Sequence, residues 1–495
     1  MAPSMMASGR HNTVLLLVVV ATLPVTTLLL WFNYAAVVLA AQRSRLSLRK
    51  QKATWPKTAL ITGTGTAFGL NLARALNEEG YRVVGADVVV RDSLSIAKRS
   101  RAISKHYSLP VSAIQNAEYI ARRILVVVKR EGVGLWIDCS QNLPLRTIAT
   151  TRTELQEKGA CACIAADATS IQQLENREAF LDFLRERSLP APEVHQVRSR
   201  SDIHNVLNHS QGKKQYMLTS PARAKPFDSS TLLPRRSLSQ TYHEVSLVKV
   251  NANSPMLLQE YADPARTYEC FAIVVQGVVR FFGAGQNAEF AGGNVHQDSA
   301  LWQAMRAYTD AIARELGQGF SSHLTLTFGV IERVSQAGVE SKLLPLKGAY
   351  QPNPAFVLPV GKSSDLVQAY VSVSQLATNG KSSLAIRETT MTTPSTTHKH
   401  LTRQRYFLLE DIANLFIDPC IGFLRRRTSL GQVLTSIVTM LHRLLFWDEA
   451  YYDFWDPVPA FWQYSVVFAW TALFASSPCK LARSTSESCR GSYQA

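Results

Sequence analysis

Three glycines and an aspartate carry the first chemical signal in the chain. In "TALITGTGTAFGLNLARALNEEGYRVVGADVVV" (58–90), Gly63 and Gly65 satisfy the first half of a G-x-G-x-x-G turn, which lays a pyrophosphate against a helix N-terminus. The next glycine, Gly69, comes one place too late. Asp87, at the end of the following apolar run, stands about where a carboxylate would accept from a ribose hydroxyl. A phosphate-cradling P-loop is excluded, because no Gly-Lys-Ser/Thr follows Gly63 at the required spacing. A tight strand-to-helix turn without a ligand remains open.

Positioning these residues takes a short buried strand, a turn, an amphipathic helix and a second buried strand, the start of a parallel α/β unit. The alternation continues through a helix at 115–131, a strand at 134–140, a helix at 145–158 and an apolar run at 160–165. A doubly wound domain is therefore expected over 56–170. From 171 the pattern changes to α+β, with strand-like runs around one long helix at 298–317 and a hairpin turn at Gln276-Gly277. The Thr-rich stretch 376–404 has no apolar period and reads as a linker.

Apolar residues make up 46% of the 495 and charged residues 18%, with the charge deficit concentrated at the two ends. The formal charge is +16, without a basic stripe interleaved with aromatics, so nucleic acid is not expected and a membrane surface or a small anion is. Seven cysteines without a C-x-x-C pair favour neither a disulfide framework nor a zinc site. Residues 13–41 carry no charge and exceed the roughly 20 residues that span a bilayer. Arg43, Arg45, Arg49, Lys50 and Lys52 follow them, against Arg10 alone before, which predicts a single-pass anchor with the body of the chain in the cytosol. The uncharged stretch 459–478 is expected to be a second membrane segment, an interfacial helix with Trp462 and Trp470 at the headgroups, or a buried helix.

Two resemblances bear on the chemistry. "TGTGTAFG" is similar to the opening of short-chain dehydrogenases, with Ala67 in place of a glycine. That NAD(P)-binding family needs Tyr-x-x-x-Lys to shuttle a proton, and no tyrosine here has a lysine four residues later. The second rests on an ordered set: the opening segment, "KRSRAISKHYSLP", "VGLWIDCSQN", "LENREAFLDFLRERSLPAPEVHQVRS", "LLQEYADPARTYECFAIVVQGVVRF", "LPLKGAYQPNPAF" and the terminal "YYDFWDPVPAFW". With these the chain resembles the ATP-grasp superfamily, and within it the ATP-grasp proteins of fungal specialised-metabolite pathways.

The resemblance implies a Rossmann-like pre-grasp α/β domain (56–170) and an α+β ATP-grasp domain (171–375). Around them lie a tail (1–12), the anchor (13–41), a basic linker (42–55), the Thr/Ser-rich linker (376–404) and a helical, membrane-associated C-terminal region (405–495). It implies ATP and Mg²⁺ as cofactors and an ATP-dependent carboxylate–amine ligase that works through an acyl phosphate, alongside other enzymes of a biosynthetic pathway. Bringing a carboxylate to a polyphosphate sets anions against each other, so cations must neutralise them. Arg177 takes the place of a nucleotide-contacting lysine, and Gln259, Glu260 and Tyr261 that of an adenine hinge on a β-edge. Gly63, Gly65 and Gly69 form a loop on the substrate side. Thr219 stands where a second lysine is expected, with Lys213, Lys214 and Lys225 nearby. Thr327 stands where the first metal carboxylate is expected, and of the Glu-x-Asn-Pro-Arg pattern the chain has Gln351, Asn353, Pro354 and Ala355. Gln351 and Asn353 are thus the metal candidates, and neutral amides ligate magnesium poorly beside carboxylates. A degenerate ATP-grasp scaffold is the alternative to a ligase.

Overall fold

The computed structural model describes residues 57–89, 91–210, 214–219, 231–251, 255–263, 266–286, 295–335, 338–351, 363–378 and 405–470, with Thr27 and Trp31. Most of the expected anchor, Lys213, Lys225, Asn353 and nearly all of the Thr-rich linker lie outside the described residues. The chain divides into two compact units, one of Met1–Asp167 with Gln351–Ala495, the other of Ala168–Tyr350.

The first unit is built on a five-stranded parallel sheet. Strands β1 (Thr58–Thr62), β2 (Arg82–Val89), β3 (Ile103–Pro110), β4 (Val133–Asp138) and β5 (Ala162–Ile164) lie in the order β3-β2-β1-β4-β5. All five residues of β1 are buried, as a central strand covered on both faces requires. Helices α1 (Ala67–Glu78), α2 (Ala117–Glu131) and α3 (Leu145–Glu157) connect them. Thr66 caps α1 by accepting from Gly69 N at 3.0 Å. Asn116 caps α2, Gly132 stops it at φ 62°, and Ile120, Ile124, Val127 and Val128 form its one buried stripe.

The second unit holds two four-stranded antiparallel sheets. After α4 (Ala168–Glu175) and α5 (Arg177–Glu186) come β6 (Val194–Val197), α6 (Arg200–His209), β7 (Tyr216–Thr219), β8 (Thr231–Leu233), α7 (Leu238–Leu247) and β9 (Met256–Glu260). The first sheet has the order β6-β9-β7-β8, and Leu218 and Leu258 pack with Ile203, Leu207 and Val245 in its core. The second is formed by β10 (Thr267–Val275), β11 (Val278–Gln286), β12 (Ser322–Ser335) and β13 (Gly338–Ala349) in the order β11-β10-β12-β13. Gln276 and Gly277 turn the β10–β11 hairpin at φ 51° and 75°. Helix α8 (Ala300–Leu316) packs on β10 and β11 with Met305, Thr309 and Ile312 buried.

The chain then returns to the first unit. Helix α9 (Ser363–Thr378) packs on α1, β4 and β5 with Tyr370 fully buried, so 363–375 belongs to the first unit and not to the α+β domain expected over 171–375. Next come β14 (Arg405–Tyr406), α10 (Leu408–Asp411), a π-helical stretch (Ile412–Ile417), α11 (Asp418–Leu424), α12 (Leu430–Phe446), β15 (Asp448–Glu449) and α13 (Val458–Trp462). Asp456 pins this segment. Its carboxylate accepts from Arg74 Nε at 3.0 Å, Ser100 Oγ at 2.6 Å and Arg101 N at 2.9 Å, and its carbonyl accepts from Arg74 at 2.8 Å. The described part of 459–478 makes contacts within the same unit. Trp462 donates to Ser93 O at 3.1 Å and lies under Arg99, while Trp470 lies under Arg91 at 4.5 Å. Both indoles meet arginines of the α/β domain by cation–π contact.

Candidate functional site

The glycine loop sits at the carboxyl end of β1, where the strand order reverses between β1 and β4 and open α/β sheets hold their ligands. Here the loop presses on the next connection. A Cβ on Gly63 would lie 2.3 Å from Cys139 O, and one on Gly69 would lie 2.3 Å from Gly63 O. Asp87 is buried, and its Oδ2 accepts from Thr64 Oγ1 at 2.7 Å and faces His106 Nε2 at 2.9 Å. One oxygen of the carboxylate expected to meet a ribose is thus taken up inside the fold, and the other, Oδ1, is buried without a partner among the described residues.

Sequence reasoning passed over a second carboxylate beside this loop. Asp138, at the end of β4, accepts on Oδ1 from Thr62 Oγ1 at 2.7 Å, Ser140 Oγ at 2.5 Å and Ser140 N at 3.2 Å. Its signal was present in "GLWIDCS", an acid ending an apolar run. Burial pushes its carboxyl up to about 6, although the Ser140 and Thr62 hydrogen bonds pull the other way. The folded chain therefore keeps a proton that the unfolded chain, with an ordinary carboxyl near ~3.9, gives up. This contribution is fully present below about pH 4 and is lost as pH rises toward about 6, by on the order of 2–3 kcal/mol. Asp138→Asn is expected to remove that slope, read as urea midpoints at acid and neutral pH. An unchanged slope would show that Asp138 is not its source.

In the second unit, the expected hinge is not a β-edge. Strand β9 is an inner strand, with Gln259 paired to Val194 on one side and Met217 on the other. The Glu260 N–H donates to Glu193 O and the Tyr261 N–H to Gln215 O, both at 2.8 Å, so neither is left to read a purine. Gln259 and Glu260 are buried, and Tyr261 is half-buried. The first backbone past this ladder is Ala262–Asp263, which crosses β12 where Gly329 has no side chain: a Cβ there would lie 2.3 Å from Ala262 Cβ. Beside the hinge, Glu193 accepts from Lys214 and, at 3.0 Å, from Tyr216 Oη. Burial alone would raise the Glu193 carboxyl, but these donors and the Lys214 charge hold it below its usual range. Lys214 is thus committed to Glu193.

Arg177 opens α5, half-buried, just past the Asn176 cap. Burial lowers its guanidinium from the ordinary range, and no carboxylate pairs with it among the described residues. The strand ladder also places Thr327 between Glu269 on β10 and Lys347 on β13. Residues opposite one another share a face. The neighbouring row (Cys270, Leu326, Gly348) faces the helices, with Cys270 Sγ 3.4 Å from Thr309 and the Gly348 Cβ position 3.0 Å from Phe180. Glu269, Thr327 and Lys347 therefore line the sheet face turned away from α5 and α8. Lys347 is exposed.

This row does not suit magnesium. A threonine flanked by one carboxylate and one ammonium is a poor donor set for an ion that prefers carboxylate oxygens. No group of three or more His, Cys, Asp or Glu side chains that would hold a metal occurs among the described residues. Gln351 belongs to the first unit and donates to Ser140 O at 2.8 Å.

The chain matches no protein-family model and no curated protein. Among solved structures it is similar to an N5-carboxyaminoimidazole ribonucleotide synthetase in complex with ADP, at 13% identity and a TM-score of 0.40, over 61% of this chain and 73% of that one. It is also similar to the biotin carboxylase subunit of a pyruvate carboxylase, at 11% identity and a TM-score of 0.44, over 63% and 69%. A third is an L-amino acid ligase from Bacillus licheniformis, at 13% identity and a TM-score of 0.38, over 63% and 69%. Likeness of this size fixes neither activity nor substrate.

Proposed function

We propose that the chain binds ATP in its second unit and uses it to join a carboxylate to an amine, as its sequence resemblance to ATP-grasp proteins implies. The observation that carries this reading is the short sequence step from the end of β9 at Glu260 to the start of β10 at Thr267. It links the inner strand β9 of one antiparallel sheet directly to the inner strand β10 of the other. A ligand at such a joint meets both sheets, with the purine at Tyr261–Asp263 and the phosphates toward Lys347 on the open face of the second sheet. In the reaction class, a carboxylate oxygen attacks the γ-phosphorus, the bond to the β–γ bridging oxygen breaks and ADP leaves. The amine then displaces phosphate from the acyl carbon and loses its proton. Its setting is a specialised-metabolite pathway, with the chain anchored through 13–41 and its body in the cytosol.

A second reading is a scaffold that holds ATP without turnover. The Glu269–Thr327–Lys347 row favours it, because a threonine stands where a metal carboxylate was expected and an ammonium lies opposite it on the next strand. Thermal unfolding of the full-length protein in detergent, with millimolar ATP in magnesium or in EDTA, tests the common part. ATP is expected to raise Tm in EDTA as well as in magnesium, since the cation named is a side chain. At a hundredfold excess over Kd the stabilisation is about 2.7 kcal/mol. Lys347→Ala should shrink it. No shift in either buffer overturns ATP binding. ADP release on adding amino-acid substrates separates ligase from scaffold.

A further inference from the structure

We propose that the α11–α12 hairpin is a monotopic docking surface for an anionic lipid bilayer. Helix α12 presents Leu434, Val438, Leu441 and Leu445 as exposed side chains, 48–71% accessible, at spacings of four, three and four. That is one stripe of a helix. Its other face is occupied. Val433 is buried, and Arg443 pairs with buried Asp411 at 2.8 Å. At the turn into α12, Phe423 and Leu424 are also exposed, the latter at 81%. A contiguous apolar face of this kind marks an interaction site.

The charges select the occupant. Arg425, Arg426 and Arg427 follow Phe423 and Leu424, all three exposed and without an ion pair among the described residues. Helix α12 contains no acidic residue. Aliphatic side chains beside exposed arginines fit acyl chains below anionic headgroups. The helix has 17 residues, about 25 Å of length against the roughly 30 Å of a bilayer core. No helix among the described residues is long and apolar enough to cross a membrane. The Ser429–Gln432 capping box and the Arg443–Asp411 pair instead hold α12 along the protein surface, with its stripe outward. It lies in the interface plane. This assignment concerns 416–446 and is independent of the expected anchor at 13–41.

The test uses the full-length protein in vesicles that carry a photoactivatable acyl chain, with adducts mapped by mass spectrometry, so that lipid contact at α12 is read separately from contact at 13–41. Adducts are expected at Leu434, Val438, Leu441 and Leu445 and absent at Val433. The variant Leu434→Glu/Val438→Glu/Leu441→Glu should lower α12 adducts at least tenfold with the unfolding midpoint kept, because all three side chains are already exposed. Replacing Arg425, Arg426 and Arg427 by Gln should lower them in phosphatidylserine vesicles by up to on the order of a hundredfold, and little in neutral ones. The proposal is overturned by adducts absent from 416–446 in every vesicle. It is equally overturned by protein cross-links joining α12 to a second copy or to another segment of the chain.

Discussion

Asp456→Ala is expected to destabilise the first unit by about 3–5 kcal/mol, read as a lowered denaturant midpoint of the full chain. The pair it breaks is almost wholly enclosed, with Arg74 3% and Asp456 0% accessible at the side chain. Losing the carboxylate leaves a buried guanidinium without its counter-charge and strips acceptors from Ser100 Oγ and Arg101 N. A buried donor that loses its partner bears the full desolvation cost. Arg74→Met added to Asp456→Ala should recover much of the loss, since an apolar side chain of similar length removes the stranded charge. A single-variant loss below about 1 kcal/mol, or a double variant no better than the single, would show that the pair does not hold the C-terminal segment on α1.

That pair also shows how far the sequence could be read. The "WDPVPAFW" element was legible as a motif, but its chemistry was not. Its Asp456 works as a staple because Arg74 lies more than 380 residues earlier, and no local pattern announces a contact of that separation. The alternation of strands and helices over 58–164 was legible because each element buries one periodic face. The Gln276-Gly277 turn was legible too, because few residues accept positive φ at both places. Hinge placement was not. Gln259–Tyr261 reads as a strand end, and whether that strand is inner or edge depends on β6 and β7, which pair with it from sequence distances of tens of residues. The exposed stripe of α12 was hidden for a different reason. Periodicity shows that a helix has an apolar face without showing whether protein covers it.

The largest contrast is expected within the opening glycine loop. Gly63→Ala should cost about 3–5 kcal/mol or prevent folding, as the sum of two strains. Gly63 has φ +85°, which an L side chain rarely adopts. Its added Cβ would also lie within 2.5 Å of three backbone atoms at Cys139–Ser140. Backbone cannot rotate aside, so the turns after β1 and β4 would have to part. Asp138 would then lose the geometry with Thr62 and Ser140 on which its hydrogen bonds depend. Gly65→Ala is different. Its nearest neighbour would be Asp87 Oδ2 at 3.6 Å, an ordinary contact, so stability should stay within about 0.5 kcal/mol. The pair of variants separates two roles that the motif merges. If Gly65→Ala folds normally and weakens saturation by carboxylate substrates at unchanged ATP affinity, the loop touches substrate. If binding is untouched while Gly63→Ala unfolds the chain, the glycines serve the close approach of two turns, and the likeness to a nucleotide fingerprint comes from packing.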